Sequence, residues 1–242
     1  MKISVCMAAY NGEVYLREQI ESILKQLKVG DELIISDDNS RDNTSKIIRE
    51  ISDPRIKFIM NNGEKGYTKN FENALKESSG DIIFLSDQDD VWVDNKVEVM
   101  LKHLEDYDMV VSNAKIVDSQ LKVIDDSHFR LYDVKKGFWN NFIKTRYIGA
   151  CMAFKRDVLV KALPFPKHQK YCAHDYWLTL VSEAFYKVSL EEVPLLLYRR
   201  HGKNASSGGE FSKNSLWIKI VVRLYATINL ISLYFKKHIS IS

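Results

Sequence analysis

Ile82-Ile83-Phe84-Leu85-Ser86-Asp87-Gln88-Asp89-Asp90 decides the reading of this chain: four apolar residues run straight into three carboxylates around one amide. An unbroken apolar run ending in a polar cluster predicts a buried parallel strand. Its C-terminal edge then carries the cluster, and that edge is where ligands bind in open α/β sheets. Asp87 and Asp89 are one residue apart, so a turn there aims both at one point. Hard carboxylate oxygens so arranged suit Mg²⁺ or Mn²⁺, ions usually shared with substrate phosphates. A solvated acidic turn is the plain alternative. The strand ahead of it favours a metal–diphosphate site.

The same pattern repeats on the N-terminal side. Ile3 to Met7 reads as a strand, Ala8 to Gly12 as a turn, and Leu16, Ile20, Ile23 and Leu24 fall at helical spacing. Glu32 to Ile35 is a second strand that ends in Ser36-Asp37-Asp38-Asn39-Ser40, and a short helix carries Ile47 and Ile48. Ile56 to Met60 is a third strand, and Tyr67 to Ser78 is a helix stopped by Gly80. Strands alternating with helices of this length predict βαβ units and a mostly parallel, Rossmann-like sheet flanked by helices. No GxGxxG is present, so a dinucleotide cofactor is not expected.

Whole-chain numbers set the class. A length of 242 residues with 45% hydrophobic and 28% charged side chains fits a globular enzyme built around one large domain. The net charge of +3, without a long basic run, argues against nucleic acid as a partner. Cys6, Cys151 and Cys172 form no CxxC pair and no disulfide framework, which favours a cytoplasmic compartment.

Three ordered segments carry a resemblance: Ile3-Ser4-Val5 through Ala9-Tyr10-Asn11, Ile34 through Thr44, and Gly80 through Asp90. In order and spacing they are similar to the N-terminal half of family-2 glycosyltransferases. Ser-Asp-Gln-Asp-Asp-Val-Trp resembles the bacterial rhamnosyltransferase-like branch. The resemblance implies a GT-A fold over residues 1–205, with a nucleotide-sugar half to about residue 100 and an acceptor half after it. It implies an inverting enzyme that uses a nucleotide-sugar donor and a divalent metal, in bacterial surface polysaccharide synthesis. The donor is then a deoxythymidine or uridine diphosphate sugar, and the acceptor a glycan or lipid-linked hydroxyl.

It also assigns roles. Ala8 lets the nucleotide approach the backbone, and the Tyr10 ring can cover the base. Asp38 accepts a hydrogen bond from the pyrimidine N3–H, and Lys69 matches a polar position near the nucleotide. Asp89 is the expected direct metal ligand, and Asp87 contacts sugar, ribose or metal through water. Asp90 is expected to cap the segment that follows. In the second half, Val110 to Ala114 and Ile148 to Phe154 read as strands, and Gly149 is small enough for a sugar to pass. Asp175, at the head of an apolar helix, matches the catalytic base, with His174 as its neighbour and an acceptor contact. A helix cap is the plain reading of that aspartate. Tyr198-Arg199-Arg200-His201 resembles the segment closing the active site, with Arg199 on the departing diphosphate and His201 a further metal ligand.

Ser206 to Gly209 reads as a linker or lid, and 215–242 as an amphipathic helical tail. The uncharged stretch Leu224 to Phe235 is short for a bilayer span. The tail is therefore expected either to lie on the inner membrane face or to pack on the catalytic domain or a second subunit. Two other functions fit parts of the sequence. Asp87 to Val91 also satisfies the DxDx[TV] of haloacid-dehalogenase phosphohydrolases, and a non-catalytic nucleotide-sugar-binding protein needs no base.

Overall fold

Val5, Cys6 and Met7 on the first strand, and Ile83, Phe84 and Leu85 on the fourth, are closed to solvent on both faces. A strand covered on both sides reads as a continuous apolar run rather than an alternating one, and these two form the centre of the sheet. The computed structural model describes residues 1–202 and 215–239. Strands β1 (Ile3–Ala9), β2 (Glu32–Asp37), β3 (Ile56–Met60) and β4 (Ile82–Asp87) are linked by helices α1 (Leu16–Leu24), α2 (Thr44–Glu50) and α3 (Tyr67–Lys76). They pair in parallel in the order β3-β2-β1-β4.

The register gathers the site. Ala8 lies opposite both Ser36 of β2 and Asp87 of β4, and Ala9 lies opposite Asp37. The three strands thus end level, and the turns after them share one edge of the sheet. This is the edge that the acidic run predicted.

The second half continues the same sheet. It contributes β5 (Val91–Trp92), α4 (Lys96–Asp106), β6 (Met109–Val117), β7 (Val123–Asp125), α5 (His128–Tyr132) and α6 (Phe138–Lys144). After a 3₁₀ turn at Gly149–Cys151 come β8 (Met152–Lys155), α7 (Arg156–Ala162), α8 (His174–Phe185), β9 (Val188–Arg199) and α9 (Leu216–Ile239). Beyond β4 the strand order is β8-β6-β9-β5, with β7 on β6. β8, β7 and β5 run against the others. The parallel expectation therefore holds for the first half and gives way to a mixed sheet in the second.

Two expectations need correction here. Ile148 to Phe154 is not one strand, because Gly149 to Cys151 coil into the 3₁₀ turn and only Met152 onwards joins the sheet. The tail is a 24-residue helix, and by length and composition Leu216–Phe235 is enough to cross a membrane. The sequence count fell short because it stopped at Arg223. One side of this helix packs on the domain through Val222, Tyr225, Ala226, Leu230 and Leu233. The expected linker or lid at Ser206 to Gly209 lies outside the described residues.

Candidate active site

The loop after β4 is fastened on three sides. Gln88 lies back over the end of β1: its Oε1 accepts from Tyr10 N at 2.8 Å, and its Nε2 donates to Tyr10 O at 2.9 Å. This leaves no room at Gly12, where an added Cβ would fall 2.2 Å from Gln88 Oε1. Beneath the loop, the buried Gln19 of α1 donates to Ser86 Oγ and to Asp87 O. From the far side comes the end of β9. Arg199 N donates to Asp90 Oδ1 at 2.9 Å, and the Arg199 guanidinium donates to Asp89 O, Ser119 O and Glu18 Oε2. The same guanidinium stacks over the Tyr15 ring at 4.4 Å.

These contacts correct two expectations. Asp90 is fully buried and holds β9, so it does not cap the segment after it. Arg199 is 2% exposed with Nε, Nη1 and Nη2 all committed to protein oxygens, so it braces the acidic loop from behind and is not a diphosphate contact. His201 does reach the site. Its Nε2 lies 2.8 Å from Asp89 Oδ2, and its ring packs 5.1 Å from Tyr15.

The turn after β2 has a different chemistry. Asp37 is buried and accepts from Ser40 N, Ser40 Oγ and Ser45 Oγ, so it shapes its own turn. Asp38 accepts from Asn61 Nδ2 and Gly66 N, each at 2.8 Å, and its backbone N–H donates to Ala9 O. A carboxylate has about four acceptor sites. The two bonds fix the orientation of Asp38 and leave capacity for a further donor. The Tyr10 ring beside this turn is 52% exposed. Lys69 pairs with Glu72 at 2.9 Å within α3, a largely buried ion pair in which Lys76 also reaches Glu72.

Behind the acidic loop is Lys96, a fully buried lysine at the start of α4. Its ammonium donates to Ala150 O at 2.8 Å and lies 4.9 Å from the Trp92 ring centre. Burial lowers its pKa to about 8, against the pull of the Cys151, Asp90 and Asp87 acids. Burial, then the charges of Asp89 and Asp175, push the Asp87 carboxyl up to about 7, while Lys96 pulls it down. Asp90 is raised by burial and by Asp89 and Asp87. Two carboxyls of the loop, Asp87 and Asp90, thus crowd one buried ammonium, and both resist ionising.

The 3₁₀ turn held by Lys96 touches α8. A Cβ on Gly149 would lie 2.8 Å from His174 Nε2 and 3.5 Å from Asp175 Cβ. Gly149 is therefore small so that α8 can approach, and its expected role in passing a sugar is corrected. His174 is likewise no acceptor contact: it is 6% exposed and its ring stacks on Phe71 at 4.2 Å. Burial pushes it towards the neutral imidazole, against the pull of Asp175. Its backbone N–H donates to Thr68 Oγ1, which ties the start of α8 to α3. Asp175, half-buried in the first turn of α8, accepts from Tyr176 N at 2.7 Å. The helix N-cap is Ala173, so Asp175 is not the N-cap residue, although it satisfies the first-turn N–H of Tyr176.

The structure thus brings Ala8, Tyr10, Asp38, Asp87, Asp89, Asp175 and His201 to one edge. It moves Arg199, His174 and Gly149 into the supporting layer. Gln88, Gly12, Gln19, Tyr15 and Lys96 were not assigned from the sequence. Gln88 alone left a signal, as the amide set among carboxylates.

A divalent cation suits the donors present. Asp89 and His201 point at each other across 2.8 Å, and a cation bound there would favour ionisation of the crowded carboxyls beside them. Among the described residues no three His, Cys, Asp or Glu side chains form a complete cage. The fit is therefore to an ion whose remaining ligands come from substrate oxygens and water, the usual habit of Mg²⁺.

Comparison with known proteins shows the family and the fold. The family described as Glycosyl transferase family 2 matches residues 4–163. The chain is 27% identical to the UDP-Glc:alpha-D-GlcNAc-diphosphoundecaprenol beta-1,3-glucosyltransferase WfgD of Escherichia coli, over 98% of this chain and 94% of that one. It is 30% identical to the dTDP-rhamnosyl transferase RfbG of Shigella flexneri, over 82% of this chain and 72% of that one. Staphylococcus aureus TarS 1-349, solved with UDP-GlcNAc, superposes with a TM-score of 0.73 at 18% identity, covering 95% of this chain and 67% of that one. The mannosyltransferase PcManGT of Pyrobaculum calidifontis, solved with GDP-Man and Mn²⁺, gives 0.64 at 19% identity, over 84% and 58%. These structures share the GT-A fold of this chain. The chain is a glycosyltransferase and belongs to glycosyltransferase family 2.

Proposed function

We propose that this enzyme is a metal-dependent, inverting transferase that moves a sugar from a deoxythymidine or uridine diphosphate donor to a hydroxyl of a glycan or lipid-linked acceptor. Its place is bacterial surface polysaccharide synthesis, in the cytoplasm at the inner face of the membrane. One observation supports this most: the first turn of α8, with Asp175, packs on Gly149, and the Gly149–Cys151 turn lies against β4 and is held by Lys96, so the candidate base sits beside the strand that carries the acidic loop. A donor at the sheet edge then has its diphosphate near Asp89 and His201 and its anomeric carbon towards Asp175. Relatives named for UDP-glucose and dTDP-rhamnose point to the pyrimidine donors, and the diphosphoundecaprenol in one name points to a lipid carrier.

Each residue has a step. Asp38, fixed by Asn61 and Gly66, accepts from the base N3–H, and Tyr10 covers the ring. A buried acceptor that loses its donor is costly, so this contact discriminates among bases. Asp89 and His201 hold the cation, which when bound neutralises charge developing on the departing diphosphate. Asp87 orients the sugar or ribose. Asp175 takes the proton of the acceptor hydroxyl as its oxygen attacks the anomeric carbon from the face opposite the leaving group.

Asp175→Asn tests the reading, because it keeps the size of the side chain and removes the base. With dTDP- and UDP-sugars and Mn²⁺ or Mg²⁺, the variant is expected to bind donor normally. Its transfer rate falls by about 10²–10⁴-fold, mainly in kcat. Near-normal turnover would overturn the assignment of the base.

A further inference from the structure

We infer that the outer faces of α6 and α9 form one basic, apolar surface that seats the enzyme on an acidic phospholipid bilayer. On α9, Trp217, Ile220, Leu224, Ile228, Ile231 and Phe235 are all exposed and recur every three or four residues, which makes a single stripe. The opposite face is held down. Tyr225 OH accepts from His168 N at 3.0 Å, and Ala226 is sealed in the core. The helix therefore lies along the domain with its apolar stripe outward.

α6 extends this surface. The Arg223 guanidinium donates to the Ile143 carbonyl, which places the end of α6 beside the middle of α9. Trp139 and Ile143, four residues apart on α6, are 71% and 61% exposed. Exposed tryptophans on both helices, Trp139 and Trp217, suit the headgroup boundary, where an amphipathic ring is most stable.

Charge selects the occupant. Residues 134–150 and 215–235 contain Lys135, Lys136, Lys144, Arg146, Lys219 and Arg223 and not one aspartate or glutamate. The whole chain carries only +3, so the rest of it is net acidic. Burial, followed by the charges of Arg146 and Lys219, lowers the pKa of Lys144, which places the cations of the two helices near one another. A second copy of this chain would set these like charges face to face. A bilayer of acidic lipids complements them, each lysine or arginine contributing about 1 kcal/mol near such a surface. The packed inner face of α9 and its two internal cations favour lying on the membrane over crossing it.

The test uses the full chain without substrates, so it does not depend on which sugar or acceptor is used. Sedimentation with phosphatidylcholine vesicles, with and without phosphatidylglycerol, should show binding only to the acidic vesicles, weakened by salt. Trp139→Ser with Ile143→Ser should lower the partition coefficient about ten-fold with an unchanged melting curve. Lys144→Gln with Arg146→Gln should weaken binding and flatten its salt dependence. Absence of binding to acidic vesicles overturns the inference. So does binding that ignores both α6 variants, which would leave α9 as the sole contact. A concentration-dependent dimer abolished by the Trp139 and Ile143 changes would identify a second copy as the occupant and overturn it too.

Discussion

Two aspartate turns flank the end of β1, one after β2 and one after β4, and they are built on opposite principles. In the first, donors satisfy the acids: Ser40 and Ser45 on Asp37, and Asn61, Gly66 and the Lys65 ammonium at 3.7 Å on Asp38. In the second, Asp87 is half-buried and Asp90 buried with Asp89 beside them, and the Lys96 ammonium and the Arg199 N–H do not offset the crowding, so their carboxyls are raised. Hydrogen bonds to a carboxylate make a turn rigid, whereas a surplus of carboxylates makes a place for a cation. Near-identical residue pairs thus shape a pocket on one side and charge it on the other.

Mutations should separate the two turns sharply. Asp89→Ala is expected to lower metal-dependent transfer by about 10³-fold, close to the largest loss seen for one stabilising group. It should leave the melting temperature nearly unchanged, because it removes one charge from a crowded cluster. A donor titration with and without chelator checks the first point, and a thermal melt checks the second. Asp37→Ala should do the reverse. It leaves the Ser40 and Ser45 donors without their acceptor and should cost about 3 kcal/mol of stability. If both variants lost stability equally, the distinction between the turns would fail.

Gln88 links the two turns across β1, and Gly12 makes room for it. Gly12→Ala is expected to displace the Gln88 side chain and cost about 1–3 kcal/mol, with a higher KM for donor as Tyr10 loosens. In the double variant with Gln88→Ala, the effects should be clearly less than additive, as a thermodynamic cycle would show. Additive losses would mean that Gly12 serves some other contact.

The smallest effect lies at the opposite edge of the sheet. Burial would raise the Glu32 carboxyl, but hydrogen bonds from Ser4, Ser79 and Lys2 bring it down to about 2. Because the folded value lies below the unfolded one, its contribution is present above about pH 4.5 and is lost as pH falls towards 2. Glu32→Gln should therefore flatten acid destabilisation in that window and leave kcat near neutral pH unchanged. Melting curves from pH 6 to 2 would show it.

Much of this enzyme is written in local sequence. Continuous apolar runs in β1 and β4 specify strands buried on both faces, and each ends in the polar residues that meet at the edge. Those signals need only a few neighbouring residues, so the nucleotide half and its acids were legible. Motif position also singled out Asp175 and His201 as candidates, although they lie far along the chain. The roles of Arg199, His174 and Gly149 were misread because each depends on what long-range folding places beside it. A guanidinium at the end of a strand looks free to hold a diphosphate until β9 seats it against Glu18, Asp89 and Ser119. A glycine looks like space for a sugar until α8 fills that space with an imidazole. Lys96 looked like an ordinary first residue of a helix, and only its burial against Trp92 and Ala150 reveals the counter-charge to the acidic loop. The sequence alone determined which residues lie at the sheet edge, since strand ends follow from local apolar patterning. The tertiary structure decided which of them face the substrate and which support those that do, since burial and charge balance depend on partners more than a hundred residues away in the chain.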